Sequence, residues 1–78
     1  YKARLYRAGW NIDRRPTYRI EVLLNGTYTE AGYAISGHPS VHLEPWIGQE
    51  VEVSGSIWYH GQARRNVISV TSIRSQSR

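Results

Sequence analysis

Hydrophobic and polar residues alternate with period two along most of this chain. In Gly48–Trp58, Val51, Val53 and Ile57 fall on one side, with glycine replacing a side chain at position 55. Glu50, Glu52, Ser54 and Ser56 take the other side. Successive side chains of an extended strand point to opposite faces, so the segment reads as a strand with one buried face. A loop, Tyr59–Arg65, separates it from a second β-rich run, Asn66–Ile73, and the two read as a long closing hairpin. Thr17–Leu24 has the cleanest alternation. Tyr18, Ile20, Val22 and Leu24 are expected inside, and Thr17, Arg19, Glu21 and Leu23 outside. Asn25-Gly26 follows at once, and both residues tolerate the positive φ of a tight hairpin turn. Thr27–Ile35 then returns with Ala31, Tyr33 and Ile35 as its inward set. Lys2–Trp10 is the first strand, with Ala3 and Leu5 inward and Gly9 placed to permit a bulge.

Two stretches break the alternation. Asn11–Pro16 is polar and proline-ended, which predicts a loop, and Pro16 holds Arg15 extended. In Ser36–Ile47, Gly37, Pro39 and Pro45 forbid a long helix. Ser40–Glu44 has room for one helical turn, with Val41, Leu43 and Trp46 plugging a barrel end. Residues 75–78 read as a polar, frayed tail. Ile20, Val22, Val51, Val53, Ile57, Ile68 and Val70 are the expected main core.

The order is three strands, a plug and two strands, with no internal repeat and no domain boundary in residues 1–78. That is the layout of an all-β, five-stranded antiparallel Greek-key barrel. The pattern Gly48-x-x-Val51-x-Val53-x-Gly55-x-Ile57, followed by Val67-Ile68-x-Val70-x-x-Ile73, resembles the oligonucleotide/oligosaccharide-binding (OB) fold. An SH3-like small barrel shares the strand count and glycine use and is the alternative. The resemblance concerns the fold and brings no catalytic residue with it.

Composition narrows the chemistry. The chain has 78 residues, no cysteine and no methionine. Disulfides and thiolate metal sites are therefore excluded. No apolar run nears the roughly 18 residues of a helical membrane span. The missing methionine suggests a domain excised from a larger protein. The net charge is +4, and nine of the ten basic residues are arginine. Arginine presents a flat fork of donors suited to phosphate and to stacking on rings. All nine aromatics are Tyr or Trp, side chains that tolerate half-exposed positions.

No enzyme motif stands out: there is no phosphate-cradling glycine loop, no His-Glu-x-x-His and no serine elbow. His38 and His42 have helical metal-pair spacing, but Pro39 lies between them, so no metal and no cofactor is expected. Glu50 and Glu52 share a strand face about 7 Å apart, a separation at which paired carboxylates can do acid–base work, yet a solvated face explains them. The domain reads as non-catalytic.

The more informative constellation lies in two loops. The OB resemblance implies a ligand on the strand 2–3 face, flanked by the first and last hairpin loops. Here the first contains Trp10, Arg14 and Arg15, and the second Tyr59, Arg64 and Arg65. Arg19 and Tyr28 are outward on the strands between them. Cations for the backbone and rings for the bases are what single-strand binding requires. The expected partner is therefore single-stranded DNA or RNA. The competing expectation is a protein-interaction or accessory module, exported or not, that meets a protein partner or other domains of its own chain. In that reading the arginines are solvated, or paired with Asp13, Glu21 or Glu30, and the rings cap the barrel. A sugar- or envelope-binding module is a third, weaker reading.

Overall fold

The computed structural model of the protein describes residues 1–12 and 14–76, with all their side chains except that of Trp10. Five strands follow in order: β1 (Lys2–Ile12), β2 (Arg15–Leu24), β3 (Thr27–Ser36), β4 (Glu50–His60) and β5 (Arg65–Ser75). A short 3-10 turn, Glu44–Trp46, lies between β3 and β4. The strands close into a barrel in the order β1-β2-β3-β5-β4, an arrangement compatible with an OB-like fold.

The sheet is mixed, which corrects the expectation of an antiparallel barrel: β3 and β5 run parallel, Tyr33 opposite Val67 and Ser36 opposite Val70. Every other neighbouring pair is antiparallel. The reason is one of parity. Five strands on a ring cannot alternate direction all the way round, so closure requires a parallel pair.

Ala3, Leu5, Tyr18, Ile20, Ala34, Val51, Val53, Ile68 and Val70 fill the barrel, and Val41 and Leu43 close one end. Trp46 packs against this core half-buried. The Tyr18 hydroxyl donates to Glu44 Oε1 at 3.0 Å, and the Arg7 guanidinium pairs with Glu44 Oε2, so the plug is tied to β1 and β2. The helical turn forms at Glu44–Trp46 rather than at 40–44, because Pro45 suits the first turn of a helix, where no amide donor is needed. At Asn25-Gly26, φ is +51° and +81°, as the tight hairpin requires.

Several inward assignments change. Leu24 is 53% exposed and Ile57 50% exposed, because both lie where their strands run past the barrel mouth. Val22 is half-buried at the same mouth. In β3 a bulge between the partners of Ile20 and Glu21 leaves Ala31 unpaired. One extra residue flips the faces that follow. Ala34 therefore enters the core, while Tyr33 and Ile35 point outward. Thr17, expected outside, is buried beneath Ile12. β1 continues to Ile12 through a register shift between Arg7 and Asn11, with Gly9 at φ +81° inside it. β5 runs to Ser75, opposite Val51, and Gln76 N–H donates to Glu50 O. The tail expected at 75–78 is thus strand-bound at its start, and residues 77 and 78 lie outside the described residues.

Candidate nucleic-acid interface

The outer surface of β2 and β3 is built by cross-strand pairing. Tyr6 stands opposite Arg19, Arg19 opposite Tyr33, Tyr33 opposite Val67 and Val67 opposite Trp58. This row crosses β1, β2, β3, β5 and β4 in turn. Arg19 is exposed and leans over the Tyr6 ring, 5.6 Å from its centroid. Trp58 is 38% exposed.

Part of this surface is covered by the protein itself. Ile12, at the tip of β1, forms a second apolar cluster with Ile35 and Val67, against which Tyr33 packs. Ala34 and Ile68 belong to the barrel core, so their neighbours Ile35 and Val67 face the other way. The first hairpin thus folds over the outer face. It is held there by Ile12 N–H donating to Thr17 Oγ1 at 2.7 Å, while Thr17 Oγ1 donates to Arg15 O at 3.1 Å.

The two arginine loops meet β3 at different points, one at its end and the other at its middle. Arg15 Nη1 donates to Ser36 O, at the end of β3, at 3.2 Å. Arg14 is exposed, in the turn, at φ +63°. Arg64, Arg65 and Tyr59 line a hollow with Glu30, Ala31 and Gly32, at the middle of β3. Four residues of strand separate Gly32 from Ser36, about 13 Å at ~3.3 Å per residue. The second loop is the turn at 61–64, closed by Ala63 N–H donating to His60 Nδ1 at 3.1 Å. Tyr59 is 62% exposed. Trp10 belongs to β1, and its side chain, like all of Asp13, lies outside the described residues. Tyr28 sits apart from both loops: the Arg4 guanidinium lies 4.0 Å from its ring centroid, and its hydroxyl accepts from Gln76 Nε2 at 3.3 Å.

The charges sort by position. Arg4 pairs with Glu50, Arg7 with Glu44 and Arg74 with Glu52. The hydrogen bond to Glu50 raises the Arg4 pKa. The two glutamates that share a strand face are thus each held by an arginine. Among the described residues, no ion pair involves Arg14, Arg15, Arg19, Arg64 or Arg65. Glu21 and Glu30 stand opposite each other between β2 and β3, and the Tyr6 hydroxyl donates to Glu21 at 3.0 Å. This acidic pair bounds the basic surface on the side of the Asn25-Gly26 turn.

Among the described residues, no group of three or more His, Asp or Glu side chains is placed to hold a metal ion. His38 is engaged locally, its Nδ1 2.7 Å from Ser40 Oγ. Among the described residues, no helix is long and apolar enough to cross a membrane. Sequence reading overlooked Tyr33 and Trp58. The alternation of Ser54, Ser56 and Trp58 put the tryptophan on the outer face, but β5 had to be placed beside β3 before its row could be seen. Compared with protein-family models, with curated proteins and with solved structures, the chain matches none.

Proposed function

We propose that this barrel is a non-catalytic, OB-type domain that binds single-stranded nucleic acid across the outer face of β2, β3 and β5. The observation that carries this reading is the segregation of its arginines. Those away from the face are neutralised by glutamates, whereas Arg14, Arg15, Arg19, Arg64 and Arg65 have no carboxylate partner among the described residues. Guanidiniums without a carboxylate partner among the described residues, spaced along a strand face with rings between them, suit a polyanion whose bases stack as its backbone passes. In this reading the loop arginines take phosphates, Tyr33 and Trp58 offer ring surface, and Tyr59 stands at the rim. Trp10 belongs with the first loop.

The reading is tested by the anisotropy of a fluorescent single-stranded oligonucleotide titrated with the protein at low and at physiological salt. Binding that weakens with salt supports it. An absence of binding at low salt overturns it and leaves the accessory-module reading in front.

A further inference from the structure

β1 covers only the first part of the β4 edge. β1 pairs with it only through Lys2 opposite Glu52, Ala3 opposite Val51 and Arg4 opposite Glu50. The last bonds on that side are from the Tyr1 amino group to Val53 O at 2.6 Å and from Val53 N–H to Tyr1 O at 2.8 Å. Beyond Val53, β4 continues to His60 in its ladder with β5. No strand among the described residues pairs with its other side there. Along a strand, successive amides point to alternate sides. Val53 bonds toward β1, so Gly55, Ile57 and Tyr59 aim their N–H and C=O groups out of the same open edge.

Natural proteins blunt open edges with charge, proline or a covering element. Ser54–Tyr59 carries no charge and no proline, and every one of these residues is exposed. Ile57 also lines a mouth with Ile20, Val22, Ala31 and Ile68, a hollow of about 130 Å³.

We propose that this edge is the interface with a second copy of the chain, joined antiparallel about a two-fold axis at Ile57. The limits of the edge set that register. It is bounded on one side by Val53, where β1 takes over, and on the other by Gly61, where the turn begins. Ile57 is midway between these bounds, so a two-fold there uses the whole free length. An isologous contact places Ile57 opposite its own copy and Gly55 opposite Tyr59. Each such pair exchanges two backbone hydrogen bonds. The tyrosine ring then covers the strand surface that the glycine leaves bare, on the face where the hollow opens. The residues of the edge itself carry no charge, so no like charges face each other along the shared ladder of two chains of net charge +4; Arg64 and Arg65 lie beyond it, at the turn. A charged extended peptide would find main-chain hydrogen bonds on this edge but no complementary charge.

The test is sedimentation equilibrium from micromolar to millimolar protein, with hydrogen exchange read residue by residue. The wild type is expected to reach twice the monomer mass, with the amides of Gly55, Ile57 and Tyr59 gaining protection in step with the mass. Ile57→Lys, at a half-exposed position, is expected to keep the melting temperature and to remain monomeric. A wild type that stays monomeric at millimolar concentration overturns the proposal. So does a dimer in which these three amides exchange as fast as in the monomer, and that measurement needs no variant to fold.

Discussion

Ile12 and Thr17 are joined by a buried hydrogen bond, main-chain amide to side-chain Oγ1, at 2.7 Å. It pins the first hairpin over the outer face and roofs Ile35 and Val67. Thr17→Val keeps the shape and removes the acceptor, leaving the Ile12 amide buried without a partner. Such a loss costs about 1–3 kcal/mol. A clear fall in melting temperature is expected, and in the folded fraction at lower temperature, faster hydrogen exchange at Ile12. If neither changes, the hairpin is not held by this bond.

β4 and β5 approach closely at Gly55. A Cβ there would stand 1.9 Å from Ser69 O and 2.8 Å from Ser69 C, both backbone atoms that cannot swing away. Overpacking of this kind costs about 1–3 kcal/mol or more. Gly55→Ala is therefore expected to destabilise the barrel strongly. Gly61→Ala, with nothing within 4 Å of the added carbon, is expected to be nearly neutral. Urea denaturation of the two variants decides it, and equal midpoints would contradict the packing.

Val53 and Ile57 show how far the sequence could be read. Both belong to the same alternating run, yet Val53 is 1% exposed and Ile57 50% exposed. Periodicity reveals which face a side chain takes, whereas burial also depends on what lies opposite. Past Val53, β1 has ended and, among the described residues, no strand covers that edge of β4. The β3 bulge at Ala31 was hidden for a related reason: Gly32, at φ +123°, lets β3 approach Asn66 of β5, a strand far away in the chain. The Asn25-Gly26 turn and the five strands were legible because their signals are local. The arginine loops were legible as composition, while their separation along β3 required the pairing of β3 with β5. Val53→Ala is expected to cost on the order of 1–4 kcal/mol and Ile57→Ala much less, as read from their melting temperatures.

Tyr18 makes stability depend on pH at the alkaline end. Burial pushes its phenol up, and the hydrogen bond to Glu44 acts in the same direction. Unfolded, a tyrosine ionises near pH 10, whereas in the barrel Tyr18 keeps its proton to higher pH. Above about pH 10 the folded state therefore binds more protons than the unfolded one, and its stability falls as pH rises. Tyr18→Phe loses the hydrogen bond, worth about 1 kcal/mol, and is expected to be less stable than wild type at neutral pH. The gap should close as pH rises from 10 to 12, roughly the range in which the wild-type phenol ionises when unfolded. Chemical denaturation across that range checks it, and a constant gap would remove the linkage.

The proposed binding face separates charge from stacking. Four phosphate contacts, from Arg14, Arg15, Arg64 and Arg65, imply a slope of log affinity against log salt of roughly −3, at about −0.7 per contact with a single strand. Replacing Arg64 and Arg65 together with alanine is expected to weaken binding of every sequence and to flatten the slope by somewhat over one unit. Trp58→Ala acts differently: losing a stacked base costs about 1–3 kcal/mol and leaves the slope unchanged, because no phosphate contact is removed. Melting temperatures of both variants separate a lost contact from a lost fold. Unchanged affinity in the folded double-arginine variant would show that the second loop does not meet the phosphates. A slope that flattens for Trp58→Ala would show that the strand has moved off the face altogether.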